Sequence, residues 1–202
     1  GVYTEFCEVD ATPLVKKYPN LIVLRSFSKA FPIAGLRLGY LCAAPQTAAI
    51  IKKLVLPFSI NHFSLAFAHE MLSDRTFMEH ARKQVLDLIV ERERMHDLIS
   101  SRYGRELLHV FPSEGNFLLI RVFNDAAFES LIADLAAHGI KVLNTSATPL
   151  LENTFRVSIG TPYENEYFFH RLQGALEHFA PVTHQRGQMA HHVHQPVCSF
   201  QA

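Results

Sequence analysis

A helical repeat of apolar residues runs through the middle of the chain and limits the folds that are open to it. Between Phe77 and Ile99, apolar residues recur at spacings of three, four or seven, while Arg, Glu and Lys fill the other face. This period places the apolar side chains on one stripe of an α-helix. We therefore predict one long amphipathic helix over 61–102. Elements before and after this helix must cover its apolar stripe.

The segment before the helix carries strand patterns. A continuous apolar run, LIVLR at 21–25, follows the turn residues YPN and is typical of a strand that is buried on both faces of a parallel sheet. LRLGYLCAA at 36–44 predicts a second strand, and KKLVLPFSI at 52–60 predicts a connector that breaks at Pro57. Residues 1–60 are therefore predicted to be the last part of an α/β domain.

The segment after the helix alternates between strands and helices. Residues 124–139 have the pattern of a helix, and Thr161 and Glu164 are typical of a capping-box start for a last helix. We predict a small α+β domain over 103–180. Its predicted strands are RELLHVFP, GNFLLIRV, GIKVL and NTFRVSIG. The fold class predicted for the whole chain is α/β: the end of a large sheet domain, a long connecting helix and this small domain.

Residues 181–202 differ in composition from the rest of the chain. They are rich in Gln and His and show no sustained period, so we predict a loosely ordered tail. Crowded imidazoles can chelate a metal, but these lack the carboxylate or thiolate neighbours of a metal site, so none is predicted. The histidines concerned are His184, His191, His192 and His194.

Charge and cysteine content exclude several classes of protein. Lys+Arg and Asp+Glu both number 19, so the net charge is zero, and we expect no nucleic-acid or membrane-surface partner. The 3 cysteines are scattered, which argues against a disulfide framework and favours a cytoplasmic protein. No apolar run is long enough to cross a bilayer. The chain begins at Gly1, and we expect it to be a piece of a longer protein.

Polar residues cluster where the first predicted strand ends. Ser26 and Ser28 bracket the end of the strand, and Lys29 follows it, at the edge where open α/β sheets place their ligands. Two hydroxyls and the guanidinium of Arg37 suit a phosphate group, because all of them can donate hydrogen bonds to its oxygens. In an extended segment, the side chain of Arg37 would point to the face opposite to its two leucine neighbours. An amine beside such a site suits a Schiff base with a phosphorylated aldehyde cofactor. A solvated loop lysine and a surface arginine remain the alternative.

The segment SFSKAFPIAGLRLGY closely resembles the active-site lysine segment of fold-type I pyridoxal-phosphate aminotransferases, especially the histidinol-phosphate aminotransferase-like branch. YPNLIVLRSFSKAF is similar to the strand that leads into that lysine. YTEF resembles the segment after the family's aspartate, and FRVSIGTPYENEYFFHRL resembles its arginine-bearing strand and last helix. The resemblance covers residues 1 to 179 in the family's order.

This resemblance implies roles for individual residues. Lys29 would form the Schiff base with pyridoxal 5'-phosphate and, after the substrate displaces it, would shuttle a proton between the substrate's α-carbon and the cofactor's C4′ carbon. Ser26, Ser28 and Arg37 would hold the cofactor phosphate. Tyr3 would hydrogen-bond the phenolate oxygen of the cofactor.

Two more residues would contact the substrate. Arg156 would bind the α-carboxylate, and alternation in FRVSI independently puts it on the face opposite to Phe155 and Val157. Asn116, in EGNFLLI, falls at a family-like position near the substrate. The alternatives are a surface strand charge for Arg156 and a turn residue for Asn116.

The chain also departs from the family's pattern. The aspartate that pairs with the pyridine nitrogen is expected immediately before Gly1, and a glycine-rich turn, a stacking aromatic and an asparagine are expected further upstream. We therefore expect residues 1–202 alone to be a poor catalyst. After GIKV, histidinol-phosphate enzymes usually carry an arginine, whereas this chain has Leu143. Histidinol phosphate is therefore not assigned as the substrate.

Three functional interpretations follow from the sequence. The first is an aminotransferase that moves an amino group between an amino acid, or an amino-alcohol phosphate, and a 2-oxo acid. The second is a pyridoxal-phosphate decarboxylase of the threonine-phosphate type, and the third is an inactive fragment. The family implies a homodimer for the complete protein. A truncated sheet would expose an unpaired edge and apolar surface, so the fragment is expected to be unstable or to aggregate.

Overall fold

The computed structural model describes residues 1–7, 9–103 and 106–179. The histidine-rich tail lies outside the described residues. The structure therefore does not test the prediction that this tail is loosely ordered and binds no metal. Within the described ranges, none of the helices is both long enough and apolar enough to span a membrane.

The first sheet has two strands, β1 (Ile22–Ser26) and β2 (Gly39–Ala43). They pair antiparallel, with Ile22 opposite Ala43 and Ser26 opposite Gly39. The prediction of a strand in a parallel sheet, buried on both faces, is wrong for β1. Only Val23 is buried, whereas Ile22 and Leu24 are 42% and 60% exposed. The reason is that, in the described part of the chain, β2 is the one strand beside β1 and no layer covers the outer face.

Three helices follow β2: α1 (Pro45–Lys52), α2 (His62–Ser73) and α3 (Arg75–Arg102). The prediction of one continuous helix over 61–102 is wrong at Asp74. This residue has an extended ψ of 115°, and its carboxylate accepts hydrogen bonds from the backbone N–H groups of Thr76 at 2.7 Å and Phe77 at 3.1 Å. Asp74 therefore ends α2 and caps α3, because a short carboxylate satisfies N–H groups that the first helical turn leaves without partners.

The predicted apolar stripe of α3 is confirmed. Ala81, Val85, Met95 and Ile99 are all buried. The prediction that charged residues fill only the outer face is wrong in the middle of this helix, where Glu91 and Arg92 are also buried, at positions between the apolar stripe and the outer face.

The second sheet has four antiparallel strands in the order β3-β4-β6-β5. The strands are β3 (Leu108–Phe111), β4 (Phe117–Val122), β5 (Leu143–Asn144) and β6 (Thr154–Ser158). All four were predicted, but GIKVL contributes only its last residue to β5. Helices α4 (Asp125–Ala137) and α5 (Pro162–Leu176) join α3 on one face of the sheet.

The main core lies between the sheet and these helices. Alternate residues of β4 and β6 point into it, and the predicted capping box of Thr161 and Glu164 starts α5. Each buried aliphatic side chain contributes about 1.5–3 kcal/mol relative to exposure, so this core holds the small domain together. Its fully buried members include Ile99, Leu118, Ile120, Leu131, Leu135, Phe155, Leu172 and Leu176.

An ion pair joins α4 to α5 and makes stability depend on pH. Arg171 donates to both carboxylate oxygens of Asp134, at 3.0 Å and 2.5 Å, and these hydrogen bonds hold the pKa of Asp134 below its ordinary value of 3.8. A carboxylate with a lowered folded-state pKa stabilises the fold above that ordinary value, and the contribution is lost as the pH falls through the folded-state pKa.

We expect Arg171→Met to lower the thermal midpoint near neutral pH, and the difference from wild type to shrink as Asp134 becomes protonated. Thermal unfolding followed by circular dichroism over an acid pH series measures this. Arg75→Met is the matched control, because Arg75 pairs with Glu79 on the open surface of α3. A difference for Arg171→Met that stays constant down to the lowest pH would contradict the account.

Candidate active site

The loop between β1 and β2 brings the predicted phosphate-binding residues to one end of the first sheet. The backbone N–H of Phe27 donates to the carbonyl of Leu38 at 3.2 Å, which closes the loop directly beyond the Ser26–Gly39 pair. The hydroxyl of Ser26 accepts a hydrogen bond from the backbone N–H of Ser28 at 3.1 Å. That bond holds the two serines in a tight turn, with both side chains half-buried. The turn therefore gathers two hydroxyls at the end of β1.

The backbone conformation that places Arg37 at this end of the sheet was not predicted from the sequence pattern. Arg37 has a φ of 55° and ends the short 3-10 helix Ala34–Leu36, so the prediction that it lies in an extended segment is wrong, although Arg37 is exposed while Leu36 is half-buried and Leu38 is buried. A left-handed residue reverses the chain, which explains why β2 starts only at Gly39. One guanidinium nitrogen donates to the carbonyl of Ala34 at 3.0 Å. The side chain is otherwise exposed, so further N–H donors point to the surface.

Lys29 combines an anchored backbone with an exposed side chain. The next residue, Ala30, is buried in a small cluster with Phe6 and Val85. The amine Nζ of Lys29 lies 5.8 Å from the centre of the Tyr3 ring. The cluster therefore fixes where Lys29 leaves the surface, and Tyr3 is the aromatic neighbour of its amine.

Tyr3 connects Lys29 to the second sheet. Its ring packs edge-on against Phe117, with 5.7 Å between ring centres, and we call these two residues the Tyr3–Phe117 pair. The guanidinium carbon of Arg156 lies 4.8 Å from the centre of the Phe117 ring. An amine and a guanidinium from distant parts of the chain therefore lie at opposite ends of one aromatic pair. Both contacts are within the range of cation–π attraction.

Arg156 lies on the face of the second sheet that points away from the main core. Phe155 and Val157 are buried while Ser158 is exposed, as the predicted alternation requires. Arg156 is paired with Leu119 on β4 and with Leu143 on β5, so these side chains share its face. Leu143, the position where an arginine was expected from the resemblance, is therefore a direct neighbour of Arg156.

Asn116 takes part in the site through its backbone. Its carbonyl accepts a hydrogen bond from the backbone N–H of Ile159 at 3.0 Å, which ties the start of β4 to the end of β6. The adjacent Gly115 is buried, and a Cβ added there would lie 2.7 Å from the ring of Phe117. A side chain at this position would therefore force the ring of Phe117 to shift, so the glycine allows the turn and the ring to lie close together.

Sequence reasoning missed Phe117 as a site residue. A signal was present, because Phe117 and Leu119 alternate with the buried Leu118 and Ile120 and so face the same way as Arg156. A cleft of about 530 Å³ opens beside the Tyr3–Phe117 pair, between the first residues of the chain and the β3–β4 turn. Tyr3 and Phe117 both line this cleft, whereas Lys29 and Arg156 do not.

An ion pair fixes the Tyr3 segment to β1. Arg25 donates to the carboxylate of Glu5 at 2.5 Å, and a second contact of 3.4 Å reaches Asp10. Both side chains of the shorter pair are largely buried, so solvent screens it less than a surface pair. Tyr3 and Lys29 are thus joined to the same strand, one through this ion pair and the other through the chain itself.

Comparison with known proteins identifies the family. The family model described as aminotransferase class I and II matches residues 1–172. Histidinol-phosphate aminotransferase 1 of Mannheimia succiniciproducens is 35% identical over 175 residues, which cover 84% of this chain and 45% of that protein. Histidinol-phosphate aminotransferase of Parabacteroides distasonis is 34% identical over 156 residues, or 77% and 43% of the two chains. The chain therefore belongs to the class I and II aminotransferases, and it spans about half the length of these curated relatives.

Solved structures agree with this assignment. Histidinol-phosphate aminotransferase of Sinorhizobium meliloti, in complex with pyridoxal-5'-phosphate, matches with a TM-score of 0.71 and 27% identity over 89% of this chain and 48% of that one. L-threonine-O-3-phosphate decarboxylase of Porphyromonas gingivalis matches with a TM-score of 0.72 and 23% identity, over 88% of this chain and 54% of that one. The second match shows a shared fold only. The predicted family and fold class are confirmed.

Proposed function

We propose that the protein is a pyridoxal-phosphate-dependent aminotransferase that moves an amino group between an amino acid and a 2-oxo acid. One observation carries the proposal: Lys29 and Arg156 lie at the two ends of the Tyr3–Phe117 pair. An amine that bonds to a cofactor aldehyde and a guanidinium that binds a substrate carboxylate have to lie within one substrate's reach of each other. The fold supplies that proximity from segments far apart in sequence.

The residues at the end of β1 fit the cofactor's phosphate. Ser26 and Ser28 carry hydroxyls, and Arg37 carries a cation with N–H donors that face the surface. A phosphate accepts several such hydrogen bonds, and bonds to an ionised group are stronger than neutral ones. Tyr3 presents a phenol beside Lys29, which suits a hydrogen bond to the cofactor's phenolate oxygen.

The remaining residues of the proposed site act on the substrate. When bound, the cofactor supplies an electron sink that makes the substrate's α-proton acidic. Once the substrate's amine has displaced the amine of Lys29 from the cofactor aldehyde, the freed amine would take this proton from the α-carbon and pass it to the cofactor's C4′ carbon, as general base and then general acid. Arg156 orients the substrate through its carboxylate, and the ring of Phe117 restricts the positions that the guanidinium can adopt. Asn116 holds the turn that carries Phe117.

Leu143 bears on the choice of substrate. It pairs with Arg156 and is half exposed on the same face, so an apolar side chain adjoins the proposed carboxylate site. Leu143 offers no charge or hydrogen bond to a substrate's phosphate group. An apolar part of a substrate would bind more tightly beside Leu143, because the contact removes apolar surface from water. We therefore propose an amino acid rather than histidinol phosphate as the donor.

We further propose a cytoplasmic homodimer for the complete protein. Several large apolar side chains between α1 and α3 are exposed, and apolar side chains left in water are commonly covered at an interface. They include Leu54, Leu56, Phe58, Phe63 and Phe67.

Isotope transfer tests the proposed activity. The chain is loaded with pyridoxal phosphate and given [15N]glutamate and a panel of 2-oxo acids, and amino acid products are analysed by mass spectrometry. We expect slow transfer of 15N, because the cofactor's ring-nitrogen partner is expected outside residues 1–202. Carbon dioxide release that needs no oxo acid would instead identify a decarboxylase. Neither transfer nor release, with no cofactor bound, would identify an inactive fragment and contradict the proposal.

The role of Arg37 gives a separate prediction. Arg37→Ala should weaken pyridoxal phosphate binding about 10- to 100-fold, because it removes a charge-assisted hydrogen bond to the phosphate. Pyridoxal, which lacks the phosphate, is the matched control ligand, and its affinity should not change. Absorbance titration measures both. Equal losses for the two ligands would show that Arg37 does not contact the phosphate.

A further inference from the structure

Arg92 is a buried cation in the middle of α3 that the proposed function does not use. Its side chain is only 6% exposed. Two of its nitrogens donate to one carboxylate oxygen of Glu93, at 2.9 Å and 2.7 Å, and Glu93 itself is largely exposed. Arg92 is therefore neutralised from the solvent side, while its remaining donors point into the protein.

Those remaining donors join two segments that are distant in sequence. The Nη1 nitrogen of Arg92 donates to the backbone carbonyl of Gly115 at 3.0 Å and makes a longer contact of 3.4 Å to the carbonyl of Phe6. Phe6 belongs to the first short helical turn of the chain, where its own N–H donates to the carbonyl of Tyr3 at 2.9 Å. Gly115 lies directly under the ring of Phe117. One guanidinium thus holds the backbone behind each member of the Tyr3–Phe117 pair.

An arginine suits this position for a physical reason. Its guanidinium has five N–H donors in a planar fork, so it can bind Glu93 and the two carbonyls at once. An apolar replacement would leave both carbonyls without this donor, and a buried polar group that loses its partner destabilises the arrangement that buries it. A lysine would keep the charge but lacks the planar set of donors that binds Glu93 and the two carbonyls together.

We propose that Arg92 is a positioning residue that holds Tyr3 and Phe117 in contact and thereby sets the distance between Lys29 and Arg156. The proposed effect on the contact between the two rings rests on the hydrogen bonds of Arg92 to the backbone and not on the proposed function. The consequence for Lys29 rests on the proposed function.

Arg94 provides a matched control on the same helix. It pairs with Glu91 at 2.8 Å and with Glu166 at 2.8 Å, which ties α3 to α5. Its hydrogen bonds go to Glu91, Glu166 and Met95, and in the described part of the chain none goes to the segments of Tyr3 or Phe117. Loss of Arg94 should therefore lower stability without separating the two rings.

The first measurement is the NOE between the rings of Tyr3 and Phe117, in the chain with protonated Tyr and Phe rings in a deuterated background. Arg92→Met, Arg94→Met and wild type are compared well below their thermal midpoints, so that only folded protein is observed. We expect the NOE in wild type and Arg94→Met, and its loss in Arg92→Met. An unchanged NOE in Arg92→Met would overturn the proposal. If Arg92→Met does not fold, Arg92→Lys takes its place with a weakened NOE expected, and an NOE of wild-type strength would overturn the proposal.

The second measurement is the affinity for pyridoxal phosphate in the same variants. We expect a loss of about tenfold in Arg92→Met, with little change in Arg94→Met. Equal losses of affinity in the two variants would show that Arg92 contributes only to stability, and this result would overturn its positioning role. If wild type binds no cofactor, the proposed function fails, while the NOE still decides whether Arg92 holds the two rings together.

Discussion

Lys29→Ala should abolish covalent capture of pyridoxal phosphate. Borohydride reduction fixes an aldehyde that is bonded to an amine, so wild type treated with cofactor and borohydride should carry the cofactor on the peptide that contains Lys29. The variant lacks the amine, and no other residue is proposed to replace it. Peptide mass spectrometry measures the fraction that is modified, and the predicted change is from nearly complete modification to background.

Lys17→Ala is the matched control for this experiment. Lys17 is also exposed, and its amine lies 5.3 Å from the centre of the Tyr18 ring, a geometry similar to that of Lys29 and Tyr3. It precedes the start of β1, whereas the proposed phosphate site lies at the end of that strand. We expect the modification of Lys29 to be unchanged in this variant. Equal labelling of Lys17 and Lys29 in wild type would show that the cofactor reacts with surface amines in general and that the proposed site is not formed.

Phe155→Ala should cause the largest loss of stability among single substitutions in the small domain. Phe155 is fully buried, and its ring lies 6.5 Å from that of Phe128 and 6.4 Å from that of Phe168, measured between centres. Truncation of a buried Phe removes its hydrophobic contribution and leaves a cavity, which costs roughly 3–5 kcal/mol. Urea unfolding followed by circular dichroism measures the change.

Phe123→Ala is the control for this loss of stability. Phe123 directly follows β4, a strand of the same sheet, but it is 51% exposed, so its truncation removes little buried surface. Its expected effect on the free energy of unfolding is within about 0.5 kcal/mol. A loss of less than about 1 kcal/mol in Phe155→Ala would contradict the assignment of this side chain to the centre of the core.

Local patterns predicted much of the fold because they need only a few neighbouring residues. The stripe of α3 and the capping box of Thr161 and Glu164 depend on spacings within one or two turns. The break at Asp74 was missed because the prediction extended the helix back to residue 61, although the apolar repeat begins only at Phe77. The pairing of β1 was missed because a continuous apolar run does not say which strand lies beside it, and a partner strand is chosen by the tertiary fold.

The sequence named the residues of the proposed site, but it did not predict how they are arranged. The motif around Lys29 indicated which residues bear reactive and anion-binding groups. The left-handed turn at Arg37 was not predicted, since non-glycine residues seldom adopt positive φ. Phe117 and Arg92 were missed for opposite reasons. An aromatic residue on a strand is ordinary core material, and an arginine on an amphipathic helix is ordinarily exposed, so only the tertiary contacts show that each adjoins the site.

A crystal structure of the chain after treatment with pyridoxal phosphate and borohydride would test the central claim most directly. The account predicts continuous electron density from Nζ of Lys29 to the cofactor, with the phosphate within hydrogen-bonding distance of Ser26, Ser28 and the guanidinium of Arg37. It would be contradicted by a well-ordered cofactor attached to another lysine, or by a Lys29 side chain that stays unmodified while the phosphate group lies elsewhere on the surface.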